Sequence, residues 1–306
     1  MPEDSEIMRA SETTNVILLF IDGLGIGERE EKNPLSRIQN VEPLAHFKNS
    51  PPRVIYDGIM IPTDPRLGVE GRPQSASGQT TILTGVNAPA LLGYHKQGFP
   101  NQALRDVIKE HSIFLKLKNL NIEPNVFANT YTPQFFQAEP RWKSATTVAV
   151  EAAGMSFRRL PDLVGRKAVF HDFTNEDLRA RGFDVPVFSP AEAAAIVCEL
   201  ALNHRFVLYE HFQTDKIGHE QSFERAQTLL PKLAEFVREV VRLADLEKTT
   251  VLLTSDHGNI EDLSVRNHTL NDVPTVVWGR KRGETAGRIK SLADITPAII
   301  SLLSEN

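Results

Sequence analysis

Residues 15–27 read NVILLFIDGLGIG. Positions 16–21 are apolar without interruption, so this segment does not alternate between a wet and a dry face. A short continuous apolar run is the mark of a strand covered on both sides, as in a parallel sheet held between helices. The run stops at Asp22, followed by glycines at 23, 25 and 27. In such sheets functional groups gather at the carboxyl ends of the strands, where loops approach a ligand freely. Asp22 is therefore the first candidate site residue. The glycine spacing is G-x-G-x-G rather than G-x-G-x-x-G, and a carboxylate just before the glycines would repel a pyrophosphate. A dinucleotide cradle is set aside on both grounds.

Four further short apolar runs, at 125–128, 206–210, 250–254 and 273–278, read as strands of the same kind. Between them lie stretches with helical spacing. Residues 113–119 form one. Residues 189–202 form another, opening on Ser-Pro with an acid in the first turn. Residues 222–243 form a third, in which Pro231 is expected to kink or split the helix. The last helix is expected at 295–303. Alternating elements of this sort predict an α/β fold: three layers, a mostly parallel sheet with helices on both faces. Residues 134–187 read differently, richer in Arg, Phe and Pro with mixed signals. They are expected to form a small cap inserted into a core made of 1–133 and 188–306.

The chain has 306 residues, 41% apolar and 24% charged, with a formal net charge of −5. That composition points to a folded globular protein and gives no bulk attraction for nucleic acid or an anionic membrane. The acidic first residues lack the pattern of a secretory signal, and no apolar run spans a bilayer. The single cysteine, Cys198, excludes an internal disulfide and an all-thiolate metal site. A cytoplasmic location is the expectation.

Chemistry concentrates in four more motifs. GRPQSASGQTTILTG (71–85) places Ser75 and Ser77 in a small-residue turn before a predicted helix, whose free N–H groups would favour an anion. A serine there is either a helix cap or a nucleophile in need of a base or a metal. TDKIGHE (214–220) carries Asp215 and His219 at i, i+4, one face of a helix. TSDHGNIED (254–262) carries Asp256 and His257, with Gly258 permitting an irregular turn. NHTLNDVP (267–274) places His268 ahead of another strand. Asp and His without Cys suit Mn²⁺, Zn²⁺ or Mg²⁺. Seven such groups, counting the serine, are enough for two ions with positions left for a substrate. Two ions roughly 3.5–4 Å apart can stabilise both oxygens of an in-line displacement.

This set of motifs resembles the alkaline phosphatase superfamily of metalloenzymes. It is most similar to the branch containing the cofactor-independent phosphoglycerate mutases and phosphopentomutases. IDGLGIG, PQSASGQT, TDKIGHE, TSDHGN and NHTLNDVP occur in that order, and the terminal LADITPAIISLL is similar to the closing helix. The resemblance implies an alkaline-phosphatase-like core. It places Asp22, Ser75, Asp256 and His257 around one metal, and Asp215, His219 and His268 around the other. It selects Ser75 over Ser77 as the nucleophile. Gln79 stands where those mutases usually carry histidine, which leaves the substrate open. The short insert, unlike the large cap of the mutases, tilts the expectation towards hydrolysis.

The expected function is thus two-metal phosphoryl transfer through a phosphoserine at Ser75, most simply hydrolysis of a small phosphate ester. The alternatives are a phosphomutase on a phosphoglycerate or sugar phosphate, a phosphodiesterase, and an inactive binding module. Two divalent ions, Mn²⁺ or Zn²⁺ before Mg²⁺, are the expected cofactors. The expected partner is a small phosphorylated substrate, with neither nucleic acid nor membrane, and the oligomeric state is left open. Gln79, Arg141 and Lys143 are candidate substrate contacts, Arg158, Arg159 and Arg166 weaker ones.

Overall fold

The computed structural model describes residues 14–52, 54–138 and 142–305. The apolar run of 15–27 is the first strand, β1 (Asn15–Ile21), and it lies in the interior of a six-stranded sheet. The other strands are β2 (Ile59–Thr63), β3 (Asn125–Phe127), β4 (Thr130–Tyr131), β5 (Arg158–Arg159), β6 (Phe206–His211), β7 (Thr249–Thr254) and β8 (Val273–Trp278). Their order in the main sheet is β2-β8-β7-β1-β6-β3, while β4 and β5 make a separate parallel pair. β1 pairs in parallel with β6 and β7, and β3 with β6. β8 runs against β7 and β2, so it alone is reversed in this sheet.

Two-sided coverage explains why the strands read as continuous apolar runs. Along β1, Ile17, Leu19 and Ile21 enter one apolar cluster, whereas Val16, Leu18 and Phe20 enter the cluster on the other face. β6 divides likewise, with Val207 and Tyr209 on one side and Phe206 and Leu208 on the other. The helices Pro190–Ala201 and Phe223–Leu243 cover the first face. The helices Ile113–Asn119, Ala145–Ala152 and Ile295–Ser304 cover the second. This is the three-layer α/β architecture expected from the sequence.

Two expectations are revised. Pro231 neither ends nor divides its helix: Phe223–Leu243 is one element of 21 residues. The carbonyl that loses its partner belongs to Gln227, which is exposed, so water can serve it. The buried row Leu230, Leu233, Ala234, Phe236, Val237, Val240 and Val241 holds the helix to the sheet across the proline. β2 was not anticipated, because its burial is only partial and Pro62 breaks the strand signal. It is an edge strand, where a missing N–H is tolerated.

Residues of 134–187, expected as a cap, also supply the core. Ala145, Val148, Ala149 and Val150 enter one apolar cluster, and Leu163, Val169, Phe173 and Leu178 enter the other.

Candidate metal centre

The sheet direction brings the motifs together. Asp22 follows β1, Asp215 begins the helix after β6, and Asp256 and His257 follow β7. His268 precedes β8, yet β8 is reversed, so its start lies at the edge where the other strands end. The helix Gln213–Glu220 puts Asp215 in its first turn and His219 one turn later. Ser75 is the first residue of the helix Ser75–Thr84, whose N-cap position is held by Gln74.

Asp215, His219 and His268 form one group of potential ligands, and Asp22, Asp215 and His257 form a second. Within each, one ligand atom per residue lies within 4.8 Å of the others. Asp215 belongs to both groups, whereas the resemblance assigned it to one. Its Oδ2 is 3.4 Å from His219 Nε2, and its Oδ1 is 3.4 Å from His268 Nε2. His257 Nε2 lies 3.3 Å from Asp22 Oδ1, 3.5 Å from Asp256 Oδ2 and 3.0 Å from Ser75 Oγ. The rings of His257 and His268 stack at 3.6 Å.

The donor set fits divalent cations. Asp22 and Asp256 are buried, and their Oδ1 atoms and His257 Nδ1 have no hydrogen-bond partner among the described residues. Burial pushes the Asp22 carboxyl well above the usual range, and the neighbouring Asp256 and Asp215 push it further. Burial and Asp215 together raise Asp256 to about 7. Burial and the adjacent His268 lower His257 to about 3, so its imidazole is neutral and offers a lone pair. Burial also acts to raise Asp215, but hydrogen bonds from His219, His268 and Asn259 hold it below the ordinary carboxylate value. Carboxylates crowded in this way repel one another unless positive charge sits between them.

The two serines are separated by their surroundings. Ser77 is fully buried; its Oγ donates to Gln74 O at 3.2 Å and accepts from Lys96 N at 3.1 Å. Ser75 lines a cavity of about 620 Å³ together with Asp22, Gln79 and Asp215. Gln79 Nε2 donates to Asp22 Oδ2 at 3.1 Å and to Asp256 Oδ2 at 3.3 Å, bridging two carboxylates. Lys143 lines the cavity, with its Nζ 2.7 Å from Glu151. Arg141 lies outside the described residues. Arg158, Arg159 and Arg166 are not among the lining residues, whereas Arg181 and Lys216 are. Lys216 sits inside TDKIGHE and was within reach of the sequence reading. Arg181 follows a short helix and carried no local signal.

The sequence reading also passed over Glu261. Its buried carboxylate accepts from Gly25 N, Asn259 N, Thr269 Oγ1 and Asn271 Nδ2 at 2.5–3.1 Å. It thereby ties together the loops after β1, after β7 and before β8. A Cβ on Gly25 or Gly258 would lie 2.1 Å from Glu261 Oε1, which explains both glycines as close approaches. Asn259 Nδ2 donates to Asp215 Oδ1 at 2.7 Å and orients it. Glu261→Ala leaves four donors without an acceptor. It is expected to cost about 3 kcal/mol of stability and to weaken divalent-metal affinity about 10- to 100-fold. Thermal melts and a metal titration check both.

Comparison with known proteins follows this geometry. The sequence model of the Metalloenzyme superfamily matches residues 141–306, more than half of the chain. The chain belongs to the metalloenzyme superfamily. Among curated relatives in this metalloenzyme group are 2,3-bisphosphoglycerate-independent phosphoglycerate mutases. That of Acetivibrio thermocellus is 30% identical over 104 residues, covering 32% of this chain and 20% of the relative. That of Aliarcobacter butzleri is 27% identical over 122 residues, covering 38% and 24%. The matched region thus spans about a quarter or less of those relatives. Among solved structures, the PH0037 protein of Pyrococcus horikoshii superposes with a TM-score of 0.53 at 15% identity, covering 96% of this chain and 98% of that one. The alkaline phosphatase of the Antarctic bacterium TAB5 gives 0.51 at 14%, covering 96% and 99%. These likenesses establish a metalloenzyme of alkaline-phosphatase-like fold with candidate divalent-metal ligand clusters.

Proposed function

We propose that this metalloenzyme hydrolyses a small phosphate ester with Ser75 as nucleophile. One observation carries the reading: Ser75 Oγ lines the cavity together with Asp22 and Asp215, at a helix N-terminus and 3.0 Å from His257 Nε2. Asp22, Asp256, His257 and Ser75 would hold one divalent ion and Asp215, His219 and His268 the other, with Asp215 also within reach of the first. When bound, those ions supply positive charge that lowers the serine's proton affinity and offsets charge building on the phosphoryl oxygens.

The chain's own groups do the rest. The positive end of the Ser75 helix dipole favours the phosphoryl anion. Ser75 Oγ attacks phosphorus, the bond to the ester oxygen breaks, and the alcohol leaves. Water then cleaves the phosphoserine. Gln79 bridges Asp22 and Asp256 through its two donated hydrogen bonds. Residues 134–187 serve as a cap in the sense that Phe135, Lys143, Thr147 and Phe170 wall the cavity, although their neighbours share the core.

The curated relatives favour a second reading, transfer of the phosphoryl group to another hydroxyl of the same substrate. A screen of phosphate monoesters and diesters with Mn²⁺, Zn²⁺ and Mg²⁺ separates the readings. Free phosphate from monoesters is the expected result. An isomerised ester would indicate the mutase, and turnover of diesters alone a diesterase. A protein that neither binds divalent metal nor turns over any ester would be an inactive module.

A further inference from the structure

We infer that the alcohol part of the substrate is a flat aromatic ring system rather than a small polyol or glycerate. The inference rests on the ester-hydrolase reading above and deepens it. Seven of the chain's 22 Phe, Tyr and Trp residues line the one cavity that Ser75 opens into. Basic residues line the wall as well: Lys143, paired with Glu151 at 2.7 Å, Arg181 and Lys216.

The rings pack against one another at tilted and edge-on angles. Phe170, His171 and Phe212 form a continuous run with centroids 4.0 and 4.1 Å apart. Burial first, then the neighbouring charges of His211, Arg181 and Lys216, lower His171 to about 3, so it joins the run as a neutral ring. Tyr131 and Phe135 pack edge-on at 4.6 Å and offer a second aromatic surface. Two of the lining rings stay partly exposed: Phe99 is 49% exposed and Phe212 39%. Exposed aromatic side chains on the wall of a cavity mark a surface that a ligand covers. Offset or edge-to-face stacking on such surfaces selects a planar ring over an aliphatic group of equal size. The volume, about 620 Å³, holds a ring system together with a phosphoryl group at Ser75.

Three esters test this: ethyl, 2-cyclohexylethyl and 2-phenylethyl phosphate. Their alcohols are of similar acidity, so differences in KM report recognition and not leaving-group strength. The expected result is a KM for the phenylethyl ester about tenfold below that of the ethyl ester and several-fold below that of the cyclohexylethyl ester. In the double variant F99A/F212A the phenylethyl preference should collapse towards unity, with thermal stability and metal content retained. Equal KM values for the three esters, or a preference that survives the double variant, would overturn the inference while leaving the hydrolase reading intact. Should no ester be turned over with any metal, the hydrolase reading fails, and the ring site is read separately. Binding of 1-naphthol, followed by its own fluorescence, should then be seen in the wild type and lost in the double variant; no binding to the wild type overturns it.

Discussion

Replacing Ser75 by alanine is expected to lower phosphate-ester turnover by about 10⁴-fold or more while leaving bound divalent metal nearly unchanged. The serine contributes one hydroxyl to a group otherwise made of carboxylates and imidazoles, so its loss removes the attacking atom before it removes the site. Ser77 is a poor substitute: it is fully buried and its hydroxyl is engaged by Gln74 and Lys96 backbone groups. Folding should be little affected. The N-cap position belongs to Gln74, and Ser75 Oγ faces His257 Nε2 rather than a backbone N–H. The stability change is expected to stay within about 1 kcal/mol. Turnover, metal analysis and a thermal melt on one preparation are the measurements. Wild-type turnover in the variant would remove Ser75 as nucleophile, whatever the metal content.

Asp215→Asn should have the broadest effect of any single ligand change. Asp215 is the residue common to both ligand groups, with one oxygen towards His219 and the other towards His268 and Asn259. Removing its charge weakens both ion sites at once, and affinity at each is expected to fall by about 100-fold or more. His219→Ala, by contrast, touches one group at its half-exposed rim and should weaken one site only. The same exchange relieves repulsion, because Asp215 helps to raise both Asp22 and Asp256. It also gives up the bonds from His219 and His268 that favour the Asp215 carboxylate, and the Asn variant should lose the rise in melting temperature that added metal produces. Stoichiometric binding of two ions by Asp215→Asn would contradict the shared role.

Much of the fold was legible because two-sided burial leaves a plain trace. β1, β6, β7 and β8 sit between two apolar layers, so each reads as a short, nearly continuous apolar run. β2 left no such trace, since only part of it is buried and a proline interrupts it. Pro231 misled for a related reason: local propensity marks a break, but the helix is held by its row of contacts with the sheet. The candidate ligands were legible as residue types following strands. Arg181 was not, because its place at the cavity depends on how a distant segment packs.

Amino-acid order alone determined the layered α/β class and the four motif loops that carry Asp22, Asp215, Asp256, His257 and His268. It did so because strand burial and loop chemistry are written in neighbouring residues. Only the tertiary structure decided that Asp215 stands in both ligand groups, that Ser75 and not Ser77 faces the cavity, and that Glu261 ties three loops together. Those relations join residues up to 236 positions apart. They follow from the parallel pairing of β1 with β6 and β7 and from the reversal of β8, which no local run of sequence encodes.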